Sequence, residues 1–324
     1  MKILAFSDIH NNLGSVRKLR HLESNDYDAV VVAGDMGCNK IDEFFELVSS
    51  FDCPVLYICG NADYDLEYDR SFGAGCTHLH LNPVELDGFV FAGFSGCNLG
   101  WGRNSFAQTI WAEYLEEREA ALAPLLQASE EAKAAKHPNR KNIRARYRRA
   151  ERQMDEVEKQ ARKAIEAANR QALLDALKSV DTDPNRLVLV THERQFRVHE
   201  DMPNARLHLF GHRHGFKHTA HKGVQYVNVS ALDQLLMLVP KGEEPYGAPS
   251  EIMRKVNAGT YAVIEMSGRG DVKVECRKFW KDAHDEWDVS KYGCTDVVWL
   301  AGEEPIDEEA QVERDEDKET CLVE

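Results

Sequence analysis

Short apolar runs that end in a polar or ionisable residue recur along this chain. Five stand out: KILAFSDIH over residues 2–10, AVVVAGD over 29–35, VLYICGNAD over 55–63, RLVLVTH over 186–192 and LHLFGHRH over 207–214. Each reads as a buried β-strand of the kind found in parallel α/β sheets. Each also delivers its polar tip at the C-terminal strand end, where open α/β sheets assemble their sites. Between the first three runs, residues 14–24 and 41–51 have helical periodicity. Further strands are expected at 77–80, 84–86, 89–94, 224–229, 262–265 and 272–276, with Asp87-Gly88 as a hairpin turn.

The pattern breaks at a glycine-rich stretch, residues 95–104, and from Ser105 to about residue 180 it turns helical, dominated by Ala, Glu, Lys, Arg and Gln. His137-Pro138-Asn139 predicts a turn between two antiparallel arms, because proline disfavours continuing a helix. In the second arm Ile143, Tyr147, Ala150, Met154, Val157, Ala161, Ala164 and Ala168 recur in steps of four and three, a heptad seam. Phe106, Ile110, Tyr114, Ala121 and Leu125 are an imperfect complement in the first arm, and Pro124 is expected to kink it. The expected organisation is a core in two halves, residues 1–104 and 186–300, an inserted helical hairpin at 105–185, and an acidic, disordered tail at 301–324.

Leaving the core after Phe94, the hairpin is expected near the strand edge, as a lid, a nucleic-acid guide or a partner-binding arm. Arg140, Lys141, Arg144, Arg146, Arg148, Arg149 and Arg152 crowd into its second arm with Glu151 as the single acid. Such a run reads as a solvated face paired with the hairpin's own acids, as a phosphate-guiding surface, or as a dock for the acidic tail. Phe279, Trp280, Trp287, Tyr292 and Trp299 make an aromatic segment expected to pack on the core or the hairpin base.

Composition narrows the function classes. The formal net charge of −15 over 324 residues argues against a general affinity for nucleic acid. Eight cysteines contain no C-x-x-C pair and read as reduced thiols. No run approaches the roughly 18 apolar residues of a membrane span, and Asp8 interrupts the first apolar stretch too early for a signal peptide. A cytoplasmic location without membrane partners is expected.

The strand tips carry the candidate chemistry. Asp8, His10, Asp35, Asn61, His192, His212 and His214 offer mixed carboxylate, amide and imidazole donors. One such histidine alone is more often structural. Five strands ending in Asp-x-His, Gly-Asp, Gly-Asn, Thr-His and Gly-His-x-His amount to a metal site. The donor mix suits Mn, Fe or Zn rather than the all-oxygen cages of Mg and Ca.

These blocks, in this order, resemble the calcineurin-like metallophosphoesterases, and Gly60-Asn61-Ala62-Asp63 looks most like an Icc-related branch of predicted phosphoesterases. The resemblance spans roughly residues 1–100 and 186–275. It implies a four-layer αββα sandwich with the helical hairpin inserted. It also implies two divalent ions, manganese first with iron or zinc as alternatives: Asp8, His10, Asp35 and His214 hold one, and Asp35 bridges to a second completed by Asn61, His192 and His212. A hydroxide between the ions would attack phosphorus in line, making Asp35, Asn61, His192 and His212 the catalytic set.

Two departures matter. Where the family carries a histidine that serves the leaving group or the transition state, this chain has Ala62, which points to a phosphodiesterase. Where a glycine usually follows the first histidine, it has Asn11, the residue next most tolerant of a left-handed turn. Asp63, no longer supporting that histidine, is expected to cap a short helix at Tyr64. Asn98 and Arg103 in the glycine-rich loop, and Arg194 two positions after His192, are candidate substrate contacts. The substrate is a phosphoester, with a nucleotide or nucleic acid among the options. The contrasting class is a non-catalytic metal-binding scaffold that uses the hairpin to hold a partner.

Overall fold

The structure, a computed structural model, describes residues 1–67, 69–96, 105–178, 180, 183, 185–195, 197–233, 236–238, 254–256, 259–279 and 296–299. The chain divides into two compact units, residues 1–96 with 173–324, and residues 97–172.

In the first unit, β1 (Lys2–Phe6), β2 (Ala29–Ala33), β3 (Val55–Ile58) and β4 (Cys76–His78) lie parallel and adjacent. On the far side of β1 follow β13 (Thr260–Met266), β14 (Val272–Lys278) and β15 (Asp296–Trp299), completing a seven-stranded sheet. A six-stranded sheet has the order β5 (Val84–Leu86), β6 (Phe89–Phe94), β7 (Leu187–Thr191), β8 (Ala205–Phe210), β10 (Val224–Asn228), β9 (Lys217–His221). There β6, β7, β8 and β10 are parallel, and β5 and β9 are antiparallel edges. A separate two-stranded ribbon joins β11 (Leu236–Leu238) to β12 (Arg254–Val256).

The unbroken apolar runs are explained by two cores, one on each face of the seven-stranded sheet. Ile3, Ala5, Val31, Ala33, Leu56 and Ile58 meet Phe91, Val188, Val190, Leu207 and Leu209 between the sheets. Leu4, Phe6, Val30, Val32, Val55 and Tyr57 face the other way, against Val16 and Leu19 of α1 (Leu13–Leu22) and Phe44, Phe45 and Val48 of α2 (Ile41–Ser49). This is the expected α/β sandwich, and the β7–β8 crossover carries one turn, α5 (Val198–Asp201). Asn12 caps α1, its side-chain oxygen accepting from Ser15 N–H at 3.2 Å. Phe279 lies fully buried against Tyr261, on the core as expected for that aromatic; Trp280, Trp287 and Tyr292 lie outside the described residues.

The second unit holds α3 (Ser105–Ala134) and most of α4 (Arg140–Leu177). α3 continues through Pro124. The arms touch where the Tyr114 hydroxyl donates to Glu158 at 3.0 Å and Arg162 lies 5.4 Å over the Trp111 ring. One seam position differs from the heptad reading: Ala164 is exposed and Ile165 is fully buried. A straight helix drifts by ~20° per heptad against a 3.5-residue repeat, enough to carry the buried stripe one residue on. No helix among the described residues is long and apolar enough to cross a membrane.

Candidate metal centre

Where β1, β2 and β8 end, the backbone turns through conformations that L-residues avoid. Asp8, His10, Asn11, Asp35, His212 and His214 take φ of +56°, +49°, +63°, +55°, +70° and +38°. Each such residue costs on the order of 1–3 kcal/mol and persists only when its surroundings over-determine it. Here the loops bond to one another: Asp8 N–H to Gly34 O at 3.0 Å, Ile9 N–H to Asp35 O at 2.7 Å and Gly211 N–H to His192 O at 2.9 Å. The glycines ahead of Asn61 and His212 follow from that closeness. A Cβ on Gly60 would strike the Asp35 carboxylate, and one on Gly211 the Ser7 hydroxyl and the Asp8 carboxylate.

These turns gather the candidate ligands into two sets, Asp8 with His10 and His214, and Asp35 with His192 and His212. Within each, the ligand atoms lie within 4.8 Å of one another. In the first, Asp8 Oδ1 is 3.2 Å from His214 Nε2 and 4.0 Å from His10 Nε2, and the two Nε2 atoms are 3.1 Å apart. In the second, Asp35 Oδ2 is 3.2 Å from His192 Nε2. Asn61 Oδ1 joins that set at 3.1 Å from His192 Nε2 and 3.0 Å from His212 Nδ1. Asp35 Oδ2 also lies 3.9 Å from His10 Nε2, which links the sets.

The donor chemistry fits cations. His192 donates its Nδ1–H to the Ala33 carbonyl at 2.9 Å, so the lone pair of Nε2 points at Asp35 Oδ2 and Asn61 Oδ1, themselves acceptors. Three acceptors facing one another, His192 and Asp35 buried and Asn61 half-buried, call for a positive charge between them, a proton or a metal ion. Without a metal the proton takes the place. Burial disfavours charge on His192, but Asp35 and Asp8 outweigh it and push the imidazole up to about 10. Burial likewise raises Asp35, and His192 with His10 and the Ala62 N–H reverses this, holding it at about 2. Asp8, fully buried, accepts the His212 N–H at 3.1 and 3.0 Å on its two oxygens and stays below the usual carboxylate range, His214 and His192 overcoming its burial.

Asp63 does something the sequence does not advertise. It caps no helix, since residues 61–65 form turns. Its buried carboxylate accepts the N–H groups of Asp35 at 2.8 Å, Gly37 at 2.7 Å and Gly60 at 2.7 Å, and so ties the β2 loop to the β3 loop. Burial and the nearby Asp35 raise it to about 6. The signal was available in one respect: a carboxylate kept after the neighbouring histidine has gone needs another task. Ala62 donates its N–H to Asp35 Oδ1 at 2.7 Å and leaves a methyl where a histidine was expected from the resemblance. Asn11, in its left-handed turn, accepts the Asn39 N–H on Oδ1 at 2.9 Å.

Arg194 stacks its guanidinium 4.8 Å over Tyr226, beside the buried His208. Asn98 and Arg103 lie outside the described residues, as does the tail. His78 and His80 serve the seam between the sheets, His78 Nε2 meeting Ser95 Oγ at 2.7 Å and His80 Nδ1 accepting Ser95 N–H at 3.0 Å.

Residues 1–237 match the calcineurin-like phosphoesterase superfamily domain. The chain belongs to that superfamily. Its members typically bind divalent metals, and both ligand sets lie within the matched residues. No match is found among curated proteins. Similar solved structures include a predicted phosphoesterase from Streptococcus pneumoniae, 13% identical with a TM-score of 0.36, covering 86% of this chain and 88% of that one. Phosphopantetheinyl hydrolase from Mycobacterium tuberculosis is 16% identical at a TM-score of 0.36, over 71% and 89% of the two chains. Vacuolar protein sorting 29 from Cryptosporidium parvum is 11% identical at 0.34, over 86% and 98%. Such distant likenesses carry no weight for substrate or mechanism.

Proposed function

We propose that this member of the superfamily is a two-metal phosphodiesterase. Asp8, His10, His214 and Asp35 would hold one divalent ion, and Asp35, Asn61, His192 and His212 the other, with manganese ahead of iron or zinc for so mixed a donor set. Such ions supply Lewis acidity toward a phosphoryl oxygen and lower the pKa of an attacking water. The chain's own contribution is orientation. Ala62 N–H occupies Asp35 Oδ1 and leaves Oδ2 toward His192 and His10. The Ala33 carbonyl fixes the His192 tautomer, and Asp63 holds the two loops in register.

The preference for diesters rests on Ala62. A methyl cannot donate a proton, so a poor alkoxide leaves unassisted, and the missing acid is worth about 10²–10⁴-fold. An aryl diester needs no such help. The observation that carries the reading is the pairing of two acceptor-lined ligand sets with an alanine beside Asp35.

The test is metal analysis of the purified protein together with rates on matched aryl and alkyl esters. Aryl diesters should be turned over far faster than alkyl monoesters, and Ala62→His should recover activity on the poorer leaving groups. A wild type indifferent to leaving-group pKa would remove the diesterase assignment. A protein that binds no transition metal would remove the whole reading.

A further inference from the structure

Seven cations at the start of α4 have no place in the chemistry of the metal centre. Arg140, Lys141, Arg144, Arg146, Arg148, Arg149 and Arg152 are all exposed. Among the described residues none of the seven forms an ion pair; Arg152 Nε donates to the Arg148 carbonyl at 3.2 Å, a contact within the helix. The reading of a face neutralised by the hairpin's own acids therefore fails here. Farther along α4 it holds, where Lys159 pairs with Glu156, Arg162 with Glu158 and Lys178 with Asp175.

Helical geometry turns the run into a stripe. Residues four apart lie on one face, so Arg140, Arg144, Arg148 and Arg152 line up, with Lys141 and Arg149 beside them. At 1.5 Å per residue the row is about 18 Å long. The half-buried Ile143, Tyr147, Ala150 and Met154 form the adjoining face, centred about 110° round the helix from the row. Lys133 and Lys136 extend the charge across the turn, so that residues 130–152 hold nine Lys or Arg against three acids in a chain of net charge −15. Like charges one turn apart destabilise a helix. The stripe works against its own helix until an anion covers it.

We propose that this stripe docks the phosphate backbone of a nucleic-acid strand. Arginine dominates it, and the planar guanidinium pairs with phosphate in a fixed fork and stacks on bases, which a lysine does not do. The exposed face carries no large apolar side chain of the kind that seats an interfacial helix in a membrane. The choice of a phosphodiester polymer over another polyanion rests on the reading of the metal centre as a phosphodiesterase. Because the rest of the chain is acidic, binding is confined to this face and falls steeply with salt.

The experiment is fluorescence anisotropy of a labelled oligodeoxythymidylate with the full chain in EDTA, between about 50 and 200 mM salt. Neutralising four to six phosphates of a single strand should give a slope of log K against log salt of roughly −3 to −4. Arg140→Glu, Arg144→Glu, Arg148→Glu and Arg152→Glu combined should lose ~10-fold or more in affinity and most of that slope. The matching four-fold Gln variant, which keeps helix propensity, should fall between. Equal binding by wild type and both variants overturns the proposal. So does wild-type protein that binds no oligonucleotide at low salt. If a chain ending at Gly302 then binds, the occupant is the acidic tail; if phosphatidylserine vesicles bind instead, it is a membrane. The two readings fail separately, since metal content and aryl-diester turnover test the first and metal-free oligonucleotide binding tests the second.

Discussion

His192 and Asp35 expose 0% and 2% of their side chains, whereas His10 and His214 in the neighbouring set expose 28% and 35%. The buried half is also the better supported. Its histidine is anchored on a main-chain carbonyl, its aspartate on the Ala62 N–H, and both loops on Asp63. In the open half Asp8 is as well held as Asp35, but the two imidazoles face each other across 3.1 Å with solvent at their side. A ligand whose second nitrogen or oxygen is fixed loses less freedom on binding an ion, and such support is commonly worth 10–100-fold in affinity. Under the two-metal proposal, two similar donor sets in one cleft would not hold their ions equally: the inner ion would stay and the outer one would exchange.

Asp35 joins the halves, and changing it should have the largest effect. Asp35→Asn keeps the shape and removes the charge that Oδ2 presents to both His192 and His10. Turnover is expected to fall ~10³-fold, the upper range for deleting one electrostatic stabiliser, and both ions should be depleted. Metal counts that stay at the wild-type level in this variant would break the assignment of a shared ligand.

Asp63→Asn should separate the halves. An amide has one acceptor oxygen where the carboxylate offers two, so at least one of the Asp35, Gly37 and Gly60 N–H groups is left buried and unpaired, at about 1–3 kcal/mol. Affinity for the inner ion should fall ~10–100-fold with the outer ion little changed. An equal loss at both positions would show that Asp63 merely stabilises the fold.

Staged chelation of the wild type probes the same difference without mutation. The outer ion should leave at least ~10-fold faster than the inner, and His10→Ala should accelerate the first phase alone. Simultaneous release would contradict the comparison.

Much of the fold is legible in the chain because the central strands are covered on both faces and so have no polar positions to confuse the reading. The strands that escape it are β9, KHTAH, and β12, RKV, whose polar composition suits an edge or a ribbon, β11, LML, the three-residue partner of β12, and β15, which lies beyond the resemblance. The site is legible as a list of strand tips. What the list does not contain is backbone geometry. The left-handed residues Asp8, His10, Asp35, His212 and His214 are not glycines; Asp and His enter that region more readily than most residues, but nothing in the sequence says which of them do so here. Nor does composition distinguish the inner set from the outer, because burial is set by which strand lies central and which loop covers it. Asp63 shows the same limit: its three partners come from two loops that are adjacent only in the folded chain.

The smallest expected effect concerns His208, which props the inner half from behind. Thr191 Oγ1 donates to the Glu193 carbonyl at 2.7 Å, so it accepts from His208 Nε2–H at 2.8 Å, one residue from His192. That leaves His208 Nδ1 buried and without a hydrogen-bond partner among the described residues, with the Arg194 cation nearby. Burial first and Arg194 second lower this histidine to about 3. The folded protein therefore refuses a proton that the unfolded chain accepts near its ordinary pKa of 6.5. Stability contributed by neutral His208 is complete above that value and drains away as pH falls toward 3, at up to about 1.4 kcal/mol per pH unit. His208→Gln keeps a donor for Thr191 and cannot titrate. Its denaturation midpoint should start below that of the wild type at pH 7 and converge on it, or cross it, by pH 4.5. The measurement is the difference in unfolding free energy between the two proteins at several pH values. A difference independent of pH would mean that His208 titrates alike in the folded and unfolded chains, and the inner half would then lose its dry support.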